Sequence, residues 1–219
     1  MSTATLDMPT KPTTRNTAAL AGREVPAGRE VPAGIDRIVL TGFMGSGKTT
    51  AGALLAERLG WRFLDLDREI EHRHNRTVPQ IFSESGEAHF RHLESTMLAC
   101  LLGQHHVVVA LGGGAPEALG NRLLLEQTPH TAVVYLAAPF ATLLDRCLQQ
   151  AATPEATTRP VLADLTAAER RFHLRRTHYE RIAAHTVDTS ALTLDQTAAA
   201  ILDLLRDDRV RSEELRRIR

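Results

Sequence analysis

Residues 42–49 read Gly-Phe-Met-Gly-Ser-Gly-Lys-Thr, the G-x-x-x-x-G-K-[ST] spacing of a phosphate-wrapping loop. This pattern constrains the fold more than any other in the chain, because such a loop works only between a strand and a helix. The flanks meet that condition. Arg37-Ile38-Val39-Leu40-Thr41 is a short β-branched run suited to a buried parallel strand. Residues 50–59 predict a helix with Ala51, Leu54, Leu55 and Leu59 on one face. The N–H groups of the turn and the helix N-terminus together favour an anion. In that geometry Lys48 reaches the β- and γ-phosphates, and the Thr49 hydroxyl holds Mg²⁺.

Residues 1–34 are rich in Thr, Ala, Pro and Gly, and are expected to form a disordered extension. Residues 61–67 predict a second strand ending in Asp65 and Asp67, which alternation places on one side of an extended chain. At the carboxyl end of a parallel sheet, one would assist Mg²⁺ through water and the other would accept a substrate hydroxyl. The competing reading is that Asp67 only caps the next helix. Thr77-Val78-Pro79-Gln80 fits a capping box opening a short helix. A longer helix follows over residues 86–103, with Phe90, Leu93, Met97 and Leu101 as its core stripe. Glu87, Arg91 and Glu94 form a second stripe, which spacing alone reads as a surface salt-bridge row.

Residues 107–111 are wholly apolar and are expected to be the central strand. They end in Gly112-Gly113-Gly114, whose entropic cost points to close approach of backbone and ligand. A helix over 116–127, a strand over 132–136 and a helix over 140–150 carrying Arg146 come next. The polar stretch 151–160 has the length of a lid, and Pro160 stiffens Arg159 within it. Thr166 and Glu169 fit another capping box. Beyond it, Phe172, Arg175, Tyr179 and Ile182 share one helix face. An arginine on an inward face needs an anionic partner, whereas Arg176 reads as solvated. A last strand over 185–188, a closing helix over 192–205 and a charged tail over 206–219 complete the chain.

With 26 basic and 26 acidic residues, the zero net charge argues against broad nucleic-acid or membrane binding. Cys100 and Cys147 are too few for a disulfide framework and read as buried free thiols in a reducing cytosol. The ten histidines fall into no metal-binding frame. A cytoplasmic location is expected, since no apolar stretch approaches the roughly 18 residues that span a bilayer.

The ordered set of motifs over residues 35–205 resembles shikimate kinase. It comprises the phosphate loop, Asp65-Leu66-Asp67, Gly86-Glu87 with Phe90-Arg91 and Glu94, and Gly112-Gly113-Gly114. Arg159-Pro160-Val161-Leu162, Arg175 with Tyr179, and Val187-Asp188-Thr189 complete it. The resemblance implies a three-layer α/β/α domain with a five-stranded parallel sheet, a lid loop and substrate-binding helices. It implies phosphorylation of the 3-hydroxyl of shikimate by ATP, a step towards chorismate and the aromatic amino acids. ATP would contact Gly45, Ser46, Gly47, Lys48, Thr49, Thr50, Arg146 and Arg159, with Arg146 stacked on adenine and Arg159 closing onto the phosphates. Asp67 would bind the ring hydroxyls and take a proton, Arg91 and Arg175 would clamp the carboxylate, and the Gly112–Gly114 backbone would bind the substrate. One Mg²⁺ would sit at Thr49, supported by Asp65 through water. The partners implied are ATP and shikimate, the enzyme acting as a monomer. Two alternatives compete: a gluconate-kinase-like sugar-acid kinase, and a non-catalytic ligand sensor on the same fold.

Overall fold

In a computed structural model of the chain, residues 34–151 and 164–217 are described. The expected N-terminal extension up to residue 33 and most of the expected lid, with Arg159, lie outside the described residues.

Five strands, β1 (Arg37–Thr41), β2 (Arg62–Asp65), β3 (Val107–Ala110), β4 (Thr131–Ala137) and β5 (His185–Asp188), form one parallel sheet in the order β2-β3-β1-β4-β5. The phosphate-loop strand β1 is therefore the centre, and β3 lies one place off it, between β1 and β2. The expectation of a central 107–111 strand is corrected for a physical reason. Helices cover both faces of the sheet, so every interior strand reads as a continuous apolar run.

Helices α1 (Lys48–Leu59) and α7 (Leu194–Arg217) pack on one face. Ile38, Leu40 and Val134 of the sheet meet Leu55, Ile201 and Leu205 there. On the other face Val39, Leu64 and Val109 meet α2 (Leu66–His74), α3 (Val78–Leu102) and α4 (Leu119–Gln127) through Ile70, Phe90, Leu98 and Leu125. Residues 38, 39 and 40 alternate between the two cores, as strand period 2 requires. A third cluster joins Phe43 of the phosphate loop, Leu143 of α5 (Phe140–Ala151), and Phe172 and Tyr179 of α6 (Leu165–Ile182).

Local signals set most of the helix ends. The Thr77–Gln80 capping box is formed, and α3 kinks at Gly86, where φ is 78°. Other ends differ from expectation. α6 is capped by Asp164, whose side chain accepts from the Ala167 N–H at 2.9 Å, so Thr166 falls inside the first turn. The expected 116–127 helix is a 3-10 turn, Ala115–Glu117, followed by α4. α7 continues to Arg217, past the expected end at residue 205. Cys147 is buried but Cys100 is exposed, because it lies one residue, about 100°, off the core position of Leu101.

Candidate functional site

The loop between β1 and α1 is shaped by what presses on it. At Gly45 φ is 76°, and a Cβ there would stand 2.5 Å from the Leu143 carbonyl oxygen. Only glycine fits where α5 packs so closely on the loop. Lys48 Nζ donates to the carbonyl oxygens of Gly42 at 2.8 Å and Phe43 at 2.9 Å, which holds it over the loop it serves. Thr49 Oγ1 donates to Asp65 Oδ2 at 2.8 Å.

β2 ends at Asp65, and the chain turns helical at Leu66. Asp67 thus sits in the first turn of α2 rather than on a strand. Asp65, not Asp67, is the cap, its side chain accepting from the Arg68 N–H at 3.4 Å. The expected alternation fails, yet both carboxylates line one cleft of about 450 Å³ with Lys48, Thr49, Gly113 and Arg175. Thr49 and Asp65 present hard oxygens side by side, a donor set that suits Mg²⁺ completing its shell with water and phosphate.

A second cleft, of about 390 Å³, lies across the loop and is lined by Gly45, Ser46, Gly47, Thr50, Arg146 and Thr193 among others. Arg146 donates through NH1 to Thr189 Oγ1 at 3.1 Å and through NH2 to the Thr189 carbonyl at 2.5 Å, which ties α5 to the end of β5.

Gly112–Gly114 follow β3. A Cβ on Gly112 would lie 2.7 Å from Asp67 Oδ1 and 2.9 Å from Glu94 Oε1, and one on Gly114 would lie 2.6 Å from Arg91 NH1. The glycines let three charged groups close over the backbone. Arg91 donates to Glu94 Oε2 and Glu87 Oε1, each at 2.9 Å. Glu94 is only 1% exposed, so the expected surface row is corrected. Its position four residues after Phe90 turns it onto the core side of α3.

Burial lifts the Glu94 carboxyl from 4.5 to about 7, against the pull of Arg91. Burial, and then the neighbouring Asp65 charge, lift Asp67 from 3.8 to about 6, while Lys48 opposes. Asp67 Oδ1 and Glu94 Oε1 are buried with no hydrogen-bond partner among the described residues.

Arg175 is on the inward face of α6, as expected, over the Phe43 ring at 6.0 Å. Beside it the Tyr179 hydroxyl donates to the Gly113 carbonyl at 2.6 Å. The partner of Arg175 is Glu117, whose Oε1 accepts from Nε at 2.5 Å. No local period in the sequence marks Glu117, which lies 58 residues from Arg175 in a 3-10 turn. Arg176 is solvated and pairs with Glu180.

The structure thus lines two clefts with Gly45, Ser46, Gly47, Lys48, Thr49, Thr50, Asp65, Asp67, Gly113, Arg146 and Arg175, and packs Asp67 against Gly112 and Arg91 against Gly114. Arg159 lies outside the described residues.

A protein-family model described as shikimate kinase matches residues 44–206. A shikimate kinase of Limosilactobacillus fermentum is 37% identical over 171 residues, 77% of this chain and 95% of that protein. One of Salinibacter ruber is 47% identical over 59% of this chain. The chain spans 51% to 66% of the curated relatives from Nitrosomonas europaea, Salinibacter ruber and Persephonella marina. A solved structure described as shikimate kinase from Acinetobacter baumannii in complex with shikimate superposes with a TM-score of 0.71 at 35% identity. That match covers 80% of this chain and 94% of the other.

Proposed function

Since the chain belongs to the shikimate kinase family, we propose that it transfers the γ-phosphoryl group of ATP to the 3-hydroxyl of shikimate, giving shikimate 3-phosphate and ADP. One juxtaposition carries this reading. The acid Asp67 and the arginines Arg91 and Arg175 meet on the Gly112–Gly114 run, and Asp67 and Arg175 line the same cleft as Lys48.

Phosphoryl transfer asks for positioning and for charge on the transferring group. The loop N–H groups from Gly45 to Thr50 bind the phosphates, and Lys48 adds a cation there. Thr49, with Asp65 behind it, would hold Mg²⁺, which neutralises phosphate charge when bound. Arg146 bounds the adenine cleft, and Arg159, from the family motif, adds charge at the phosphates. Asp67 accepts a hydrogen bond from the attacking hydroxyl and takes its proton. Arg91 and Arg175 bind the carboxylate through guanidinium N–H groups left over from their glutamate partners, and the Gly113 backbone bounds the ring. The reading takes the enzyme to be a cytoplasmic monomer. No helix among the described residues is long and apolar enough to cross a membrane.

The test is ADP release in the presence of Mg²⁺-ATP with shikimate, with gluconate or with no acceptor. ADP release that depends on shikimate is expected. Turnover on gluconate alone would move the chain to the sugar-acid kinases, and nucleotide binding without turnover on either acceptor would favour a sensor.

A further inference from the structure

In the mechanism above Glu117 enters only as the partner of Arg175. It ends the 3-10 turn that follows the glycine run. Its Oε1 takes the Arg175 Nε–H at 2.5 Å, and its charge is also among those acting on Arg91. Its side chain is 44% exposed, against 16% for Arg175.

The two arginines are held differently. Arg91 is fixed through both terminal nitrogens, NH1 to Glu94 and NH2 to Glu87. Arg175 is fixed at its inner edge, and among the described residues Nε is the donor that carries its hydrogen bond. A bond to Nε sets the rotation of the guanidinium plane and spends none of the terminal fork. That fork is directed at the glycine run, with NH1 3.6 Å from where a Cβ on Gly113 would stand. The Phe43 ring beneath the guanidinium limits its other motions. An arginine carries about 2 kcal/mol of rotamer entropy, so a fork oriented beforehand binds a carboxylate at a lower ordering cost.

We propose that Glu117 is a positioning residue that orients the terminal fork of Arg175 onto the substrate carboxylate; this rests on the kinase reading above. The opposite role, a carboxylate competing with substrate, would place Glu117 on the terminal fork, and it lies on Nε instead.

The experiment compares kcat and the two KM values of the full chain with those of Glu117→Ala, Glu117→Gln, Arg175→Ala and the Glu117→Ala/Arg175→Ala pair. Glu117→Ala is expected to raise KM for shikimate about tenfold, the effect of one charge-assisted hydrogen bond. KM for ATP and the melting temperature should stay near those of the parent. Glu117→Gln, whose amide oxygen still accepts from Nε, should recover most of the loss. In the Arg175→Ala background, Glu117→Ala should add nothing further. An unchanged or lowered KM for shikimate, an equal rise for both substrates, or additivity in the double variant would each overturn the positioning role while leaving the kinase reading intact. Failure of the parent chain to turn over shikimate would instead overturn the kinase reading and this role with it.

Discussion

Glu94 and Glu87 both pair with Arg91 at 2.9 Å, yet they are energetically unlike. The Glu87 side chain is 66% exposed and the Glu94 side chain 1%. An exposed pair is worth about 0–1 kcal/mol, so Glu87→Gln should shift stability by less than about 1 kcal/mol, with little dependence on pH. Glu94 is a buried acid raised from 4.5 to about 7, chiefly by burial. Its folded pKa lies above its unfolded one, so the native state holds the proton more tightly. The stability this contributes is complete below about pH 4.5 and is lost as pH rises through about 7. At about 1.36 kcal/mol per unit, the contribution is of the order of 3 kcal/mol. Glu94→Gln removes that titration. Urea midpoints measured from pH 4 to 8 should fall with pH more steeply in the parent than in Glu94→Gln; parallel profiles would show that burial does not govern this group.

The glycine run gives the matching prediction for an element. At Gly112 an added methyl meets Asp67 Oδ1 and Glu94 Oε1, and at Gly114 it meets the Arg91 guanidinium. The atoms in the way are side-chain ends, so the chain can fold by displacing them, and two of them, on Asp67 and Arg91, belong to the groups proposed to hold the acceptor. Gly112→Ala and Gly114→Ala should therefore cost at least about tenfold in kcat/KM for shikimate, with about 1–3 kcal/mol of stability lost. Gly120, on α4, has no heavy atom within 4 Å of its would-be Cβ. Gly120→Ala should gain about 0.5–1 kcal/mol from helix propensity and leave kinetics unchanged. If all three variants behaved alike, the run would be a plain connector. The same elements mark how far the sequence could be read. β1, α1, the inward face of α6 and the glycine run follow from hydrophobic period and loop chemistry, and the structure has them where the period puts them. The strand expected to reach Asp67 stops short because β2 passes into α2 with no loop, Asp65 being at once the last strand residue and the helix cap. Glu94 looks exposed in the sequence because its charge masks its place four residues after Phe90. The Arg175–Glu117 and Thr49–Asp65 contacts join separate elements, and local spacing carries no trace of such a pair.

Across the whole molecule the two clefts flank one loop. Gly45, Gly47 and Thr50 line both, but Arg146 and Thr193 line only one, the cleft proposed for nucleotide, and Asp67 and Arg175 only the other, proposed for the acceptor. Both clefts stand at the carboxyl ends of one sheet, so each ligand should stabilise the native state through its own groups. A ligand at a hundred times its Kd adds about 2.7 kcal/mol, which for a chain of this size is a rise of about 5 °C or more in melting temperature. A non-hydrolysable ATP analogue with Mg²⁺ should therefore raise the melting temperature of the parent and of Arg175→Ala, and raise that of Lys48→Ala much less. Shikimate should do the reverse, stabilising the parent and Lys48→Ala but not Arg175→Ala. This crossed pattern separates loss of a binding group from loss of structure, since a damaged fold would blunt both responses together. Should Arg175→Ala lose its response to nucleotide as well, Arg175 would be holding α6 against the Phe43 end of the loop, and the carboxylate clamp would reduce to Arg91 alone.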